Sequence, residues 1–262
     1  MSPETSQGMR ARGAYDLCTG GDLRCLRAGA IRFADLRSDR HLHSVYSDGH
    51  STIAEMAEAA RALGLCEIVV TDHSHLVNSA ELRRQHAEID TLNEFYAACG
   101  LDFHVAKGVE VNILHDGSLD LTDAELSLFE AVNAGINVDR GRDATARYLR
   151  VLENSYVTTL AHPHTGGDVV DWLRLARGAR EHGVALEVNG RHLLQRATGH
   201  AAKNMIAAAR AEGAHIQIAS DAHNEADLVD VLYGLWFAAQ AGVTANDLLP
   251  VQRRDHDFPI AA

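Results

Sequence analysis

From residue 40 onward the chain keeps one rhythm: short apolar runs of strand length alternate with longer amphipathic segments of helix length. Strands are expected at 40–43, 67–71, 103–111, 129–136, 157–161, 184–188 and 215–219. Helices are expected at 53–63, 80–99, 143–153, 168–182, 201–212 and 225–241. Ser51 and Thr52 are N-cap candidates ahead of the first of these, with Glu55 following, and Gly64 is a natural stop. Strands that alternate with helices pair in parallel, with helical crossovers on the outside. Seven such units in one domain predict an α/β fold, a distorted (β/α)7 TIM-like barrel. The other candidate, an open doubly wound sheet, gains no support, because no glycine-rich phosphate loop is present.

The ends of these strands carry the chemistry. His41 and His43 are one residue apart in an extended segment, so both imidazoles face the same way, and Asp48 follows at a turn. By itself that spacing also fits a half-exposed strand face. Yet polar residues of the same kind recur at later strand ends: Asp72 and His73, Glu110, His162, Glu187 and Asn189, Asp221 and His223. A lone histidine there is usually solvated or satisfied by a neighbour. Separate strand ends that all deliver imidazole or carboxylate to one rim are hard to read as solvated surface. In a barrel that rim is where functional groups gather. Neutral imidazoles mixed with carboxylates suit zinc, manganese or iron better than calcium.

Composition narrows the choice of partner. At 262 residues the chain fits one barrel domain, and its net charge of −12 argues against a broad nucleic-acid footprint. Nucleic acid is therefore not the expected partner, and bound divalent cations would offset part of the negative charge. Cys18, Cys25, Cys66 and Cys99 show no metal-type or framework spacing and are expected to be reduced. With no leader-like segment and no apolar run of membrane length, a cytoplasmic protein with no membrane partner is expected. Residues 1–36 stand outside the rhythm and are expected to form a loosely structured N-terminal arm, leaving 37–262 as the barrel domain. Arg191, just after the sixth barrel strand, is the basic side chain best placed at the rim to meet an anionic group.

Five motifs, in order, resemble the polymerase-and-histidinol-phosphatase (PHP) superfamily of metal-dependent phosphoesterases. They are His41-Leu42-His43-Ser44 with Tyr46-Ser47-Asp48-Gly49, Thr71-Asp72-His73-Ser74, Gly108-Val109-Glu110, Ala161-His162-Pro163 and Ser220-Asp221-Ala222-His223. The likeness spans 35–243. Within it, 109–120 looks especially like the PHP module attached to bacterial family X DNA polymerases, with the polymerase portion itself expected to be absent.

The resemblance implies a seven-stranded distorted barrel with two or three divalent metal ions (zinc, manganese or iron) at the strand ends. It places one metal on His41, His43, Glu110 and Asp221 and a second on Asp48, His73 and His223. A third would lie between Glu110 and His162, where the family's remaining ligand is a histidine. Asn137 stands at that position, with His164 and His115 as neighbouring alternatives. Glu110, Asp221 and Arg191 are the expected catalytic residues. The activity implied is hydrolysis of a small phosphorylated metabolite or nucleotide by a metal-activated hydroxide. The alternatives are 3'-5' exonuclease-type DNA processing, amide or lactam hydrolysis, and a degenerate metal-binding domain.

Overall fold

The structure, a computed structural model, describes residues 27–137, 144–166, 170–195 and 198–250. A two-stranded antiparallel hairpin, β1 (Arg27–Ala28) and β2 (Ile31–Arg32), leads into the short helix α1 (Phe33–Leu36). The repeating units follow in chain order: β3 (Ser38–Leu42), α2 (Ile53–Leu63), β4 (Glu67–Val70), α3 (Ser79–Ala98), β5 (His104–Asn112), α4 (Asp123–Leu126) and β6 (Ala131–Gly135). Then come α5 (Ala144–Val151), β7 (Thr159–Leu160), α6 (Trp172–His182), β8 (Ala185–Asn189), α7 (Gly190–Gln195), α8 (Gly199–Glu212), β9 (Ile216–Ala219) and α9 (Asp230–Gln240).

β3 to β9 form one seven-stranded sheet in sequence order, every neighbouring pair parallel. The sheet is nearly closed. Beyond the last strand, Ala222 bridges to Leu42; the His43 N–H donates to the Ala222 carbonyl at 2.8 Å, and the Asp221 N–H to the His41 carbonyl at 2.9 Å. The TIM-like barrel expected from the rhythm is the architecture observed. Its strands are buried on both faces, which explains why β8 reads Ala-Leu-Glu-Val-Asn with every residue buried. Leu186 and Val188 belong to the apolar core, while Glu187 and Asn189 occupy the other face.

Local chemistry sets the boundaries. The Thr52 hydroxyl accepts from the Glu55 N–H at 3.2 Å, and the Glu55 carboxylate accepts from the Thr52 N–H at 2.8 Å, a complete capping box. Gly64 ends that helix at φ 90°, a conformation a side chain would disfavour. The expected last helix, 225–241, instead begins as a 3-10 turn over Glu225–Val229. Asn224 caps that turn through the N–H groups of Ala226 and Asp227. The hairpin, α4 and α7 are too short to leave a periodic signal.

Residues 27–36, expected in the loose arm, contribute to the core: Ile31, Phe33 and Leu36 are all buried there. The rest of the arm, 1–26, lies outside the described residues, as do 138–143, where one expected helix begins. Among the described residues no helix is long and apolar enough to cross a membrane.

The join between β8 and α7 is tight. A Cβ on Gly190 would lie 2.0 Å from the Asp230 carbonyl oxygen, which belongs to the first turn of α9. Neither backbone segment has a flexible end to yield. Gly190→Ala is therefore expected to cost about 2 kcal/mol, a fall of roughly 4–8 °C in thermal unfolding followed by circular dichroism. An unchanged melting temperature would show that α7 and α9 separate freely.

Candidate metal centre

The residues singled out at the strand ends converge. His41 lies on β3, with His43 just past it and Asp48 on the following turn; His73 follows β4, and Glu110 is near the end of β5. His162 follows β7, while Asp221 and His223 follow β9. Glu110 Oε2 lies 3.3 Å from His41 Nε2, 3.4 Å from His43 Nε2 and 3.1 Å from His73 Nδ1. Asp221 Oδ1 lies 3.3 Å from His43 Nε2 and 3.7 Å from His41 Nε2. Asp48 Oδ2 lies 3.6 Å from His73 Nε2 and 3.4 Å from His223 Nε2. Four overlapping triplets bring their donor atoms within 4.8 Å of one another: His41–His162–Asp221, His41–His43–Glu110, His43–Asp48–His73 and His43–Asp221–His223.

These spacings suit a divalent cation. Around an ion with ligands at 2.0–2.1 Å, tetrahedral donors stand about 3.3 Å apart. The proton inventory points the same way. His41 Nδ1 lies 2.8 Å from the Glu187 carboxylate and donates its hydrogen there. In the neutral ring Nε2 then carries a lone pair, and it faces Glu110 Oε2 and, at 3.2 Å, His43 Nε2. Lone pairs opposed at that distance repel unless a cation lies among them. His43 Nδ1 and His73 Nδ1 are buried and make no hydrogen bond, although Asp48 Oδ1 lies 3.6 Å from the first and Glu110 Oε2 3.1 Å from the second.

The electrostatics of the metal-free protein reflect the same crowding. Burial opposes a charge on His41, but Glu187, Asp221 and Glu110 together hold its imidazole well above the ordinary value. Burial alone would raise the Glu110 and Asp221 carboxyls, yet His41 and the neighbouring histidines keep both well below the usual range. Burial takes His73 down to about 4. A raised pKa means His41 holds its proton more tightly than a free imidazole does, so a cation must displace it.

Asn137 is brought to the cluster, but as a hydrogen-bond donor: its Nδ2 lies 3.0 Å from Glu110 Oε1, the oxygen that His162 Nε2 also approaches at 3.0 Å. His164 does not replace the expected histidine. It is fully buried, and its Nε2 accepts from the Asn189 N–H at 3.2 Å. Burial keeps its ring neutral down to about 3. His115 is exposed and belongs to none of the triplets.

Arg191 borders the cluster, with its Nη1 engaged: it lies 3.2 Å from the Asp221 carbonyl, 2.5 Å from His223 Nδ1 and 3.5 Å from Asp227 Oδ2. Asp72 stands behind His73, accepting from the Ser44 N–H and hydroxyl, from Ser47 and from Gln85. His192 escaped the sequence reading because no spacing motif contains it. Its Nε2 lies 3.4 Å from Asp221 Oδ2, and its ring meets that of His162 edge-on with centroids 4.8 Å apart. Two site residues sit at positive φ without being glycine, His162 at 32° and Asp221 at 61°, so the rim holds local backbone strain.

Metal uptake should accordingly be proton-coupled. Calorimetric zinc titrations of chelator-stripped protein near pH 6.5, in buffers of different ionisation heats, are expected to show net proton release. Affinity is expected to rise with pH by up to about tenfold per unit for each displaced proton, levelling once His41 is neutral. Binding independent of pH would show that the imidazoles are not ligands.

Comparison with known proteins agrees with this geometry. The chain is 32% identical over 84% of its length to the DNA polymerase/3'-5' exonuclease PolX of Bacillus subtilis, and spans 40% of that protein. It is 28% identical to a probable phosphatase of Acetivibrio thermocellus, over 71% of this chain and 78% of that one. The fold is shared with histidinol phosphate phosphatase from Lactococcus lactis, solved with zinc, L-histidinol and phosphate. The TM-score is 0.60 at 16% identity, covering 82% of this chain and 99% of that one. The model of the PHP domain family matches residues 39–170. The chain belongs to the PHP domain family.

Proposed function

We propose that this protein is a metal-dependent phosphoesterase acting on a small phosphorylated metabolite or nucleotide. The observation that carries the reading is the convergence of Glu110, Asp221 and five histidines, with Asp48 at the rim, within a few ångströms at the barrel mouth. His41, His43, Glu110 and Asp221 would hold one cation, and Asp48, His73 and His223 a second. Glu110 turns one oxygen to the first group and the other to His162, so a single carboxylate serves both sides. Bound there, the cations would neutralise phosphoryl charge, acidify a water and stabilise the leaving oxygen. Arg191, fixed by its Nη1, keeps the rest of its fork at the rim for a phosphoryl oxygen. His192 adds an imidazole beside Asp221 that can hold a proton at Nε2.

A second reading, 3'-5' exonuclease-type action on nucleic acid, is favoured by the 32% identity to a polymerase/exonuclease. One assay separates the two. Phosphomonoesters and nucleotides, together with a 3'-end-labelled oligonucleotide, are incubated with protein loaded with manganese or zinc. Release of inorganic phosphate from the small esters is expected. Turnover confined to the oligonucleotide would favour the second reading, and no turnover on any of them with metal bound would sink both.

Two substitutions probe the cluster itself. His43→Ala and Asp221→Ala each remove a donor shared by more than one triplet. Each is expected to lower bound metal, read by elemental analysis, and to cut activity by at least about a hundredfold. Asn137→His exchanges an amide for an imidazole beside Glu110 Oε1 and His162. The most weakly held cation is then expected to bind about tenfold tighter in chelator competition. No gain would mean that this corner is closed to metal by its shape rather than by its donor set.

A further inference from the structure

β8 delivers none of the expected ligands, yet its central residue carries a carboxylate that is fully buried, with Glu187 0% exposed. A charge so placed is costly unless each oxygen is met by a donor. Both are. Oε1 accepts from His41 Nδ1 at 2.8 Å, and Oε2 accepts from the backbone N–H of His162 at 2.5 Å. Among the described residues no lysine or arginine pairs with it; its cationic partner is the His41 ring. The His162 peptide that it holds is the one with φ 32°, immediately before Pro163, so the carboxylate anchors a backbone that would otherwise relax. Two residues along the same face, Asn189 continues the arrangement by donating from Nδ2 to Asp221 Oδ2 at 3.1 Å. One strand thus grips three others through the backs of their functional residues.

We propose that Glu187 is a positioning residue of the metal centre: it fixes His41 as the Nδ1–H tautomer, with Nε2 free to ligate, and locks the His162 turn so that both imidazoles face the same cluster. A carboxylate behind a metal-bound imidazole also raises the basicity of the ligating nitrogen. An apolar residue would fill this position at lower cost in burial, and would leave the His41 ring free to choose its tautomer. The inference rests on the metal-centre reading and goes beyond it, because it assigns the organisation of the cluster to a residue that touches no cation.

Glu187→Gln keeps the volume of the side chain but offers one acceptor where two N–H groups need one each; Glu187→Ala removes both. Zinc dissociation constants are measured by competition with a chromogenic chelator. The imidazole N–H resonances of zinc-loaded, 15N-histidine-labelled protein are recorded alongside, and metal-free samples are melted as a control. The expected result is zinc binding about 10- to 100-fold weaker in both variants. A downfield His41 Nδ1–H signal is expected in the wild-type protein and lost in Glu187→Ala, while Glu187→Gln still melts cooperatively without metal. Wild-type zinc affinity in Glu187→Gln, or no hydrogen-bonded His41 Nδ1–H in the wild-type spectrum, would overturn the role of Glu187 alone. Failure of the wild-type protein to take up zinc would overturn the metal centre and this inference together.

Discussion

The interaction on which the site depends is a repulsion. Glu110 Oε2, His41 Nε2, His43 Nε2 and Asp221 Oδ1 crowd into one buried volume, each presenting electron density to the others. No arrangement of hydrogen bonds among them satisfies every lone pair, since imidazole nitrogens and carboxylates supply too few protons. The fold holds this unfavourable cluster because the barrel is rigid and its cost is met elsewhere, by an apolar core that extends around the strands. Positive charge is the missing component. Protons supply it in the metal-free protein, which is why His41 titrates high while its carboxylate neighbours titrate low.

That view assigns different tasks to the strands. β3, β5 and the segments after β4, β7 and β9 deliver donors, whereas β8 delivers supports. The loops behind the donors are themselves braced: Asp72 gathers Ser44, Ser47 and Gln85, and Asp120 ties Ser74 to Asn112. Donor atoms are therefore set by side chains whose own positions are fixed twice over. Such duplication is what a site needs if a cation is to find its geometry ready on arrival.

The sequence carried the fold and the donors because both rest on short-range regularities. A parallel barrel announces itself by alternating element types, and a strand end shows where the apolar run stops. His41 and His43 could be paired from a period of two, and helix α2 could be bounded from Thr52, Glu55 and Gly64. What stayed hidden depends on contacts between distant residues. His192 lies on a six-residue helix with no pattern of its own, and its relevance comes from distant neighbours, Asp221 at 29 positions on and the ring of His162. Glu187 was visible as a polar strand-end residue, but its grip on His41, 146 positions earlier, belongs to the closed ring. The packing of Ile31 and Phe33 was missed because strands of two residues and a helix of four have no periodicity to read.

The seam of the barrel has a consequence for how the protein is made. The ring is joined by backbone hydrogen bonds between residues 41–43 and 221–222, and these same residues carry donors from both edges of the sheet. A nascent chain that has emerged only as far as β8 has an open sheet, no Asp221 and no His223. Its early histidines then lack the carboxylate that completes their set. Sealing of the cylinder and completion of the donor set thus fall in one late event of biogenesis, when Asp221 and His223 join the His41–His43–Glu110 and His43–Asp48–His73 groups that the earlier strands already supply.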